Sequence, residues 1–143
     1  NSPKIPFIMS SNIKNTLNIL KENERSELLI PKDWSEVRSS LECEYDSSIP
    51  YEIIELYEFT NGGFVHVRKH DTWRIFTPNE ILKAPLELKV NFNKLALLPF
   101  IDVSDNDFIC YDFSKSQYTM YNIVDNIDFD NRAELFNFLE PIL

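Results

Sequence analysis

His66 and His70 stand four residues apart in the run FVHVRKH, a spacing that on a helix would bring two imidazoles to one side and could hold zinc. The run is rich in aromatic and β-branched residues and reads as a strand instead. There, positions i and i+4 lie about 13 Å apart, and the glutamate of an HExxH pair is missing. Both are expected to be ordinary strand histidines. Cys43 and Cys110 match no paired metal-ligand spacing and no disulfide framework, so both read as buried thiols. Cys110 sits in the apolar run FICY, where desolvation raises a thiol's pKa and leaves it inert. The run DVSDND sets Asp102, Ser104 and Asn106 at alternate positions, like the opening of a calcium loop. Asp107 then takes the sixth position, where glycine is required, and Phe113 the twelfth, where a bidentate glutamate is required. No serine lies in a GxSxG or SxxK pattern, and two histidines leave few bases for a triad. The expectation is a chain without catalytic residues, metal or cofactor.

The positive chemical feature is charge. Lysine and arginine number 14 against 23 aspartates and glutamates, for a formal net charge of -9. Such a balance opposes nucleic acid or an anionic membrane as a direct ligand and favours a basic partner. Between Leu95 and Asn131 lie seven aspartates (Asp102, Asp105, Asp107, Asp112, Asp125, Asp128 and Asp130) and one basic residue, Lys115. Aspartate is favoured in turns and caps for backbone reasons, which accounts for some of these. Together they outnumber what turns require. Asp102, Asp105, Asp107 and Asp125 fall in or beside the turns at strand ends and are the expected contacts for a basic partner. Glu52, Glu55 and Glu58 form a second acidic patch, and Tyr118 and Tyr121 are candidate apolar anchors.

The elements that must position these residues follow from pattern. Ile13, Leu17 and Leu20 in SNIKNTLNILKENERS have helical spacing. DWSEVRSSLECE opens with a capping box, Asp33 with Glu36, and buries Trp34, Val37 and Leu41. Pro50 at a first helical position starts the next helix. In it Ile53, Leu56 and Tyr57 face one way and the three glutamates another, as on a surface helix. That helix should stop at Asn61-Gly62-Gly63, with Gly62 in the left-handed conformation. FVHVRKH and TWRIF then form a hairpin. Thr77 and Glu80 make a second capping box, and Pro85 ends its helix. LALLPFIDV, DFICYDF and QYTMYNIV read as an antiparallel meander. FDNRAELFNFLEPIL reads as a closing helix capped by Asp130 or Asn131, with Leu135, Phe138 and Leu139 on one face and Pro141 at its end.

The expected fold is a single α+β domain, a mostly antiparallel or mixed sheet flanked by helices. Residues 1–9 are a lead-in without helix or strand pattern, and 10–143 the domain. Trp34, Ile53, Tyr57, Trp73, Phe76, Leu97, Ile109, Tyr111, Leu135 and Phe138 should be buried. No apolar run is long enough to span a bilayer and no secretory pattern opens the chain, so a cytoplasmic location is expected.

From about Asp33 to the C-terminus, the order of these elements and their residues resembles the SUKH superfamily, which contains bacterial toxin-immunity proteins and a fungal cell-wall-synthesis regulator. The matching residues are Ile49-Pro50, Tyr57, Phe59, Asn61-Gly62-Gly63, and Asp107, Phe108, Tyr111 and Asp112 in the strand pair LLPFIDVSDNDFICYDF. One departure is the turn SDND, where many members carry a glycine. The resemblance implies a SUKH-like fold and a non-enzymatic binding domain. Its expected function is that of an immunity protein neutralising a cognate toxin, one with a basic surface such as a nuclease carries. The alternative is a regulatory or scaffold adaptor that docks a cellular protein. A toxin gene immediately upstream would favour the first and its absence the second.

Overall fold

The computed structural model describes residues 4–67, 71–104 and 106–142, with the backbone alone at 4–11. The chain runs through helix α1 (Lys4–Lys21), strand β1 (Glu27–Leu28), helices α2 (Ser35–Tyr45) and α3 (Tyr51–Phe59) and the hairpin β2 (Gly63–His66) and β3 (Thr72–Ile75). Helices α4 (Pro78–Leu88) and α5 (Phe92–Leu95) lead into β4 (Leu97–Ser104), β5 (Asp107–Asp112), β6 (Gln117–Asn122) and β7 (Ile127–Arg132). A short helix α6 (Phe136–Leu139) and a 3-10 turn (Glu140–Ile142) end it. The seven strands form one antiparallel sheet in sequence order, with β1 and β7 at its edges. The fold is a single α+β domain, as expected.

Alternation along β6 sorts the helices between the two faces. Tyr118 faces α3 and α6: its ring meets Phe100 and its hydroxyl lies toward Glu52 of α3. Tyr121, three residues on, faces the other way and meets Phe92 of α5 at 6.1 Å between ring centroids. Alpha-helix α4 lines this second face as well, with Ala84 beside Phe108 of β5. With helices on both faces, the central strands are buried on both faces, and Leu97, Leu98, Phe100, Ile101, Ile109 and Cys110 are all core. Helix α1 buries Ile13, Thr16, Leu17 and Leu20 against α3 and α6. Tyr57 of α3 ties the layers together by donating its hydroxyl to the Phe76 carbonyl and packing on Trp34.

The Thr77 capping box forms as its residues dictate: Thr77 Oγ1 accepts from the Glu80 amide at 3.2 Å, and Glu80 accepts from the Thr77 amide at 2.9 Å. The Asp33–Glu36 box does not form. Asp33 accepts instead from the amide and hydroxyl of Ser35, and Trp34 takes the N-cap. Pro50 is the N-cap of α3 rather than its first residue, since its ψ of 151° is still extended. Pro85 lies inside α4, which continues for most of a turn to a left-handed Lys89, so the proline does not end it. The lead-in is also revised, because α1 begins at Lys4. Strand β7 runs over Ile127–Arg132, so residues 129–132, expected at the start of the closing helix, are strand; helix follows only from Phe136, with Leu135 at the N-cap. The alternation in Ile127-Asp128-Phe129-Asp130 is a period-two signal that outweighed the capping types of Asp130 and Asn131.

Of the residues expected in the core, Ile53, Tyr57, Trp73, Phe76, Leu97, Ile109, Leu135 and Phe138 are buried, while Trp34 and Tyr111 are only partly so. Cys110 is fully buried, and that burial pushes its thiol up; Cys43, also expected inside, is exposed on α2.

Candidate functional site

In a meander, alternate turns share one end of the sheet, so the β4–β5 and β6–β7 turns lie together. They are joined directly: the Ile123 amide donates to the Asn106 carbonyl at 3.0 Å, and Asn122 Nδ2 donates to Asp107 Oδ1 at 2.7 Å. Asn122 Oδ1 in turn accepts from the Val124 and Asp125 amides, folding the second turn. Asn106 (φ 73°) and Asn126 (φ 57°) supply the left-handed residues, a conformation asparagine tolerates better than most. Asn106 thus does in SDND what a glycine would do. Tyr121 supports the end from below, its ring in the core and its hydroxyl donating to Asn126.

This end brings Asp107 and Asp125 together, as expected of them. Asp125 is exposed and has no ion pair among the described residues. Asp105 lies outside the described residues. Asp102 does not belong to the end: it sits within β4 opposite Arg74 of β3, half-buried at a cleft of about 60 Å³ beside α4. Burial raises its pKa and the Arg74 charge partly offsets that. Asp112 is buried at the opposite end, where it accepts from the Ser114 and Lys115 amides. Lys115 meets Asp128 at 3.2 Å and lowers its pKa, and Arg132 holds Asp130 by two hydrogen bonds at 3.0 and 3.1 Å. Three of the seven aspartates are therefore engaged by turns and ion pairs.

The second acidic patch is corrected. Helix α3 is not a surface helix, because α1 lies along its glutamate side. Glu52 is partly buried and accepts from the Leu135 and Phe136 amides at 3.0 and 3.3 Å, capping α6 from across the molecule. Burial raises its pKa, and these two bonds pull the other way. Glu55 is 3 % exposed, with Oε2 lacking a hydrogen-bond partner. Only Glu58 faces solvent, paired with Lys14 at 3.2 Å.

Tyr118 and Tyr121 are likewise corrected: at 2 % and 3 % exposed they are core, not anchors. The exposed apolar residues at this end are others, Val124 in the turn and Ile127 and Phe129 on β7, each more than half exposed. Val124 ends the run QYTMYNIV, read as a strand, while the period-two signal of Ile127 and Phe129 runs into the segment FDNRAELFNFLEPIL read as a helix. His66 lies in β2, as expected, while His70 lies outside the described residues. Among the described residues no three His, Cys, Asp or Glu side chains converge as a metal site would require, and no helix is long and apolar enough to cross a membrane.

A second cleft, of about 210 Å³, opens between the starts of α2 and α4 and is lined by Lys32, Asp33, Trp34, Asn61 and Asn79 among others. Its lining is mainly polar. No protein-family model matches the chain, and no curated protein does.

Proposed function

We propose that this protein is an immunity protein of the SUKH kind, which binds a basic toxin domain, a nuclease, and neutralises it by surface complementarity in the cytoplasm. It acts without catalysis or cofactor, and its partner is a protein rather than nucleic acid or membrane. The observation that carries the reading is the end of the sheet where Asp107 and Asp125 stand beside the exposed Val124, Ile127 and Phe129. A domain that cleaves nucleic acid must itself carry a basic surface, and an acidic rim around an apolar centre is the arrangement that recognises one. The residues that carry the resemblance support it further: Ile49-Pro50, Tyr57, Phe59, Asn61-Gly62-Gly63 and Asp107, Phe108, Tyr111 and Asp112.

The test is affinity for the toxin domain of the neighbouring gene as a function of salt. The parent should weaken as salt rises. A variant combining Asp107→Asn and Asp125→Asn should bind about tenfold less tightly with a shallower salt dependence. Equal affinity and equal salt slope would remove this surface from the interface. The absence of any toxin gene beside this one, together with stable binding to a host protein, would replace immunity by the adaptor reading.

A further inference from the structure

The cleft between α4 and the strands β3 and β4 holds more negative charge than its own residues neutralise. Arg74, Asp102 and Phe108, each directly opposite the next across β3, β4 and β5, share one face of the sheet and line it. Phe64 of β2 continues the row opposite Arg74 and is 44 % exposed. Phe76, Leu88 and Phe108 give the cleft apolar walls, while Glu80, Glu87 and Asp102 set three carboxylates against the one Arg74 guanidinium. That guanidinium is already committed. It pairs with Glu80, which the Thr77 amide also holds, and lies over the Phe76 ring at 4.7 Å from its centroid. Asp102 and Glu87 have no hydrogen bond or ion pair among the described residues. A half-buried carboxylate that has lost hydration without gaining a partner favours any cation brought to it.

We infer that this cleft receives one arginine side chain of the basic partner, with its guanidinium on Asp102 and Glu87 and its stem against Leu88 and Phe108. Size agrees. A guanidinium has four heavy atoms, and about 60 Å³ holds roughly four water-sized groups. A planar, weakly hydrated head suits an apolar-walled cleft with carboxylates better than a compact ammonium does. Phe64, exposed on the same face, offers apolar surface beside the inserted side chain. Other occupants fit worse. A bare metal ion would meet the Arg74 charge, and among the described residues no three ligating side chains converge. A second copy of the chain brings a net charge of -9 against the same sign. The inference rests on the reading that the partner is a basic protein, and adds a socket for one of its cations, apart from the Asp107 and Asp125 end.

The experiment titrates isotope-labelled protein with N-acetyl-arginine amide and with its citrulline counterpart, which keeps the shape and lacks the charge. The arginine compound should shift the amides of Arg74, Asp102 and Glu87, saturate below about 50 mM and bind at least about tenfold more tightly than citrulline. Asp102→Asn should weaken it about tenfold, and Glu87→Gln on the exposed side of α4 about threefold, with no fall in thermal midpoint. Equal shifts with both compounds, shifts that never saturate, or shifts centred on the β6–β7 turn would overturn the inference. So would cleft shifts that track protein concentration without added compound, since they would make the occupant a second copy. Against the toxin domain of the neighbouring gene, Asp102→Asn by itself should lose about tenfold in affinity. If it loses nothing while the Asp107→Asn, Asp125→Asn variant does, the socket falls and the immunity reading stands. If the arginine compound fills the cleft and no toxin partner exists, the immunity reading falls and the socket stands.

Discussion

Tyr118 illustrates how a residue type suited to binding is drawn inside. Its ring packs edge-on against Phe100 and Tyr111, while its hydroxyl, with no well-formed hydrogen bond, lies near the Glu52 carboxylate and is raised in pKa by burial. Removing a buried, unsatisfied hydroxyl is nearly neutral, whereas removing the ring leaves a cavity. Tyr118→Phe should therefore hold stability within about 1 kcal/mol and Tyr118→Ala should lose about 3–5 kcal/mol, read by urea denaturation. A stable Tyr118→Ala that fails to bind its partner would return Tyr118 to the interface. Glu55 allows a pH test. Its pKa is raised first by burial, lowered by Lys14 and raised again by Glu58 and Glu52. A carboxyl with a raised folded pKa binds more protons folded than unfolded. Its contribution is full below the ordinary glutamate value and is lost as pH rises through the folded value. Glu52 and Asp102 shift the same way, Asp33 and Asp128 the opposite way, so the difference between variant and parent isolates Glu55. Glu55→Gln should gain on the parent as pH rises from about 4 to 7, by about 1 kcal/mol at neutral pH. Parallel pH profiles would refute this.

At the scale of elements, the two glycines show a local signal with a non-local cause. Helix α3 ends at Thr60, whose extended φ of -149° makes no left-handed stop. Gly62 and Gly63 do have positive φ, 111° and 126°, but the need for them comes from neighbouring strands. A Cβ on Gly63 would lie 2.1 Å from the Glu27 carbonyl oxygen, and one on Gly62 2.8 Å from that of Ile75. The Leu29 amide donates to Gly62 and the Leu29 carbonyl accepts from Asn61 and Thr60, so β1 is held against this turn. Gly63→Ala should cost at least about 2–3 kcal/mol and loosen β1, seen as faster exchange of its amides. An unperturbed β1 would show that the close approach relaxes freely. Thr77→Ala, losing one member of a formed capping box, should cost about 1 kcal/mol without altering the sheet.

For the whole molecule, 23 acidic against 14 basic side chains imply self-repulsion in the compact state. The ion pairs described are all at least partly exposed and so contribute little. Moderate salt should therefore raise the thermal midpoint by a few degrees, by screening repulsion more than attraction, while weakening a complex with a basic partner. A midpoint that falls with salt would mean the surface pairs outweigh the net charge. The opposite signs of the two effects separate folding from docking in one titration.

Much of this architecture was legible in the residues. The α+β class, the hairpin, the meander and most of the core follow from local periods that each segment satisfies by itself, and the Thr77 box follows from side chains three residues apart. What the sequence could not settle were matters decided by neighbours distant along the chain. Whether Glu52, Glu55 and Glu58 met water depended on distant elements: Glu52 is taken up by the amides that open α6, Glu55 is buried, and Glu58 stays in solvent beside Lys14 of α1. Tyr118 and Tyr121 looked like candidate anchors until helices on both faces enclosed the strand that carries them. Asp107 and Asp125 became one end of a sheet only when two turns met, and β7 is an edge strand only in the sheet that the described residues form. Periodicity sets which way a side chain points relative to its own backbone; burial, charge pairing and an open edge are set by what packs opposite, and that is a property of the fold.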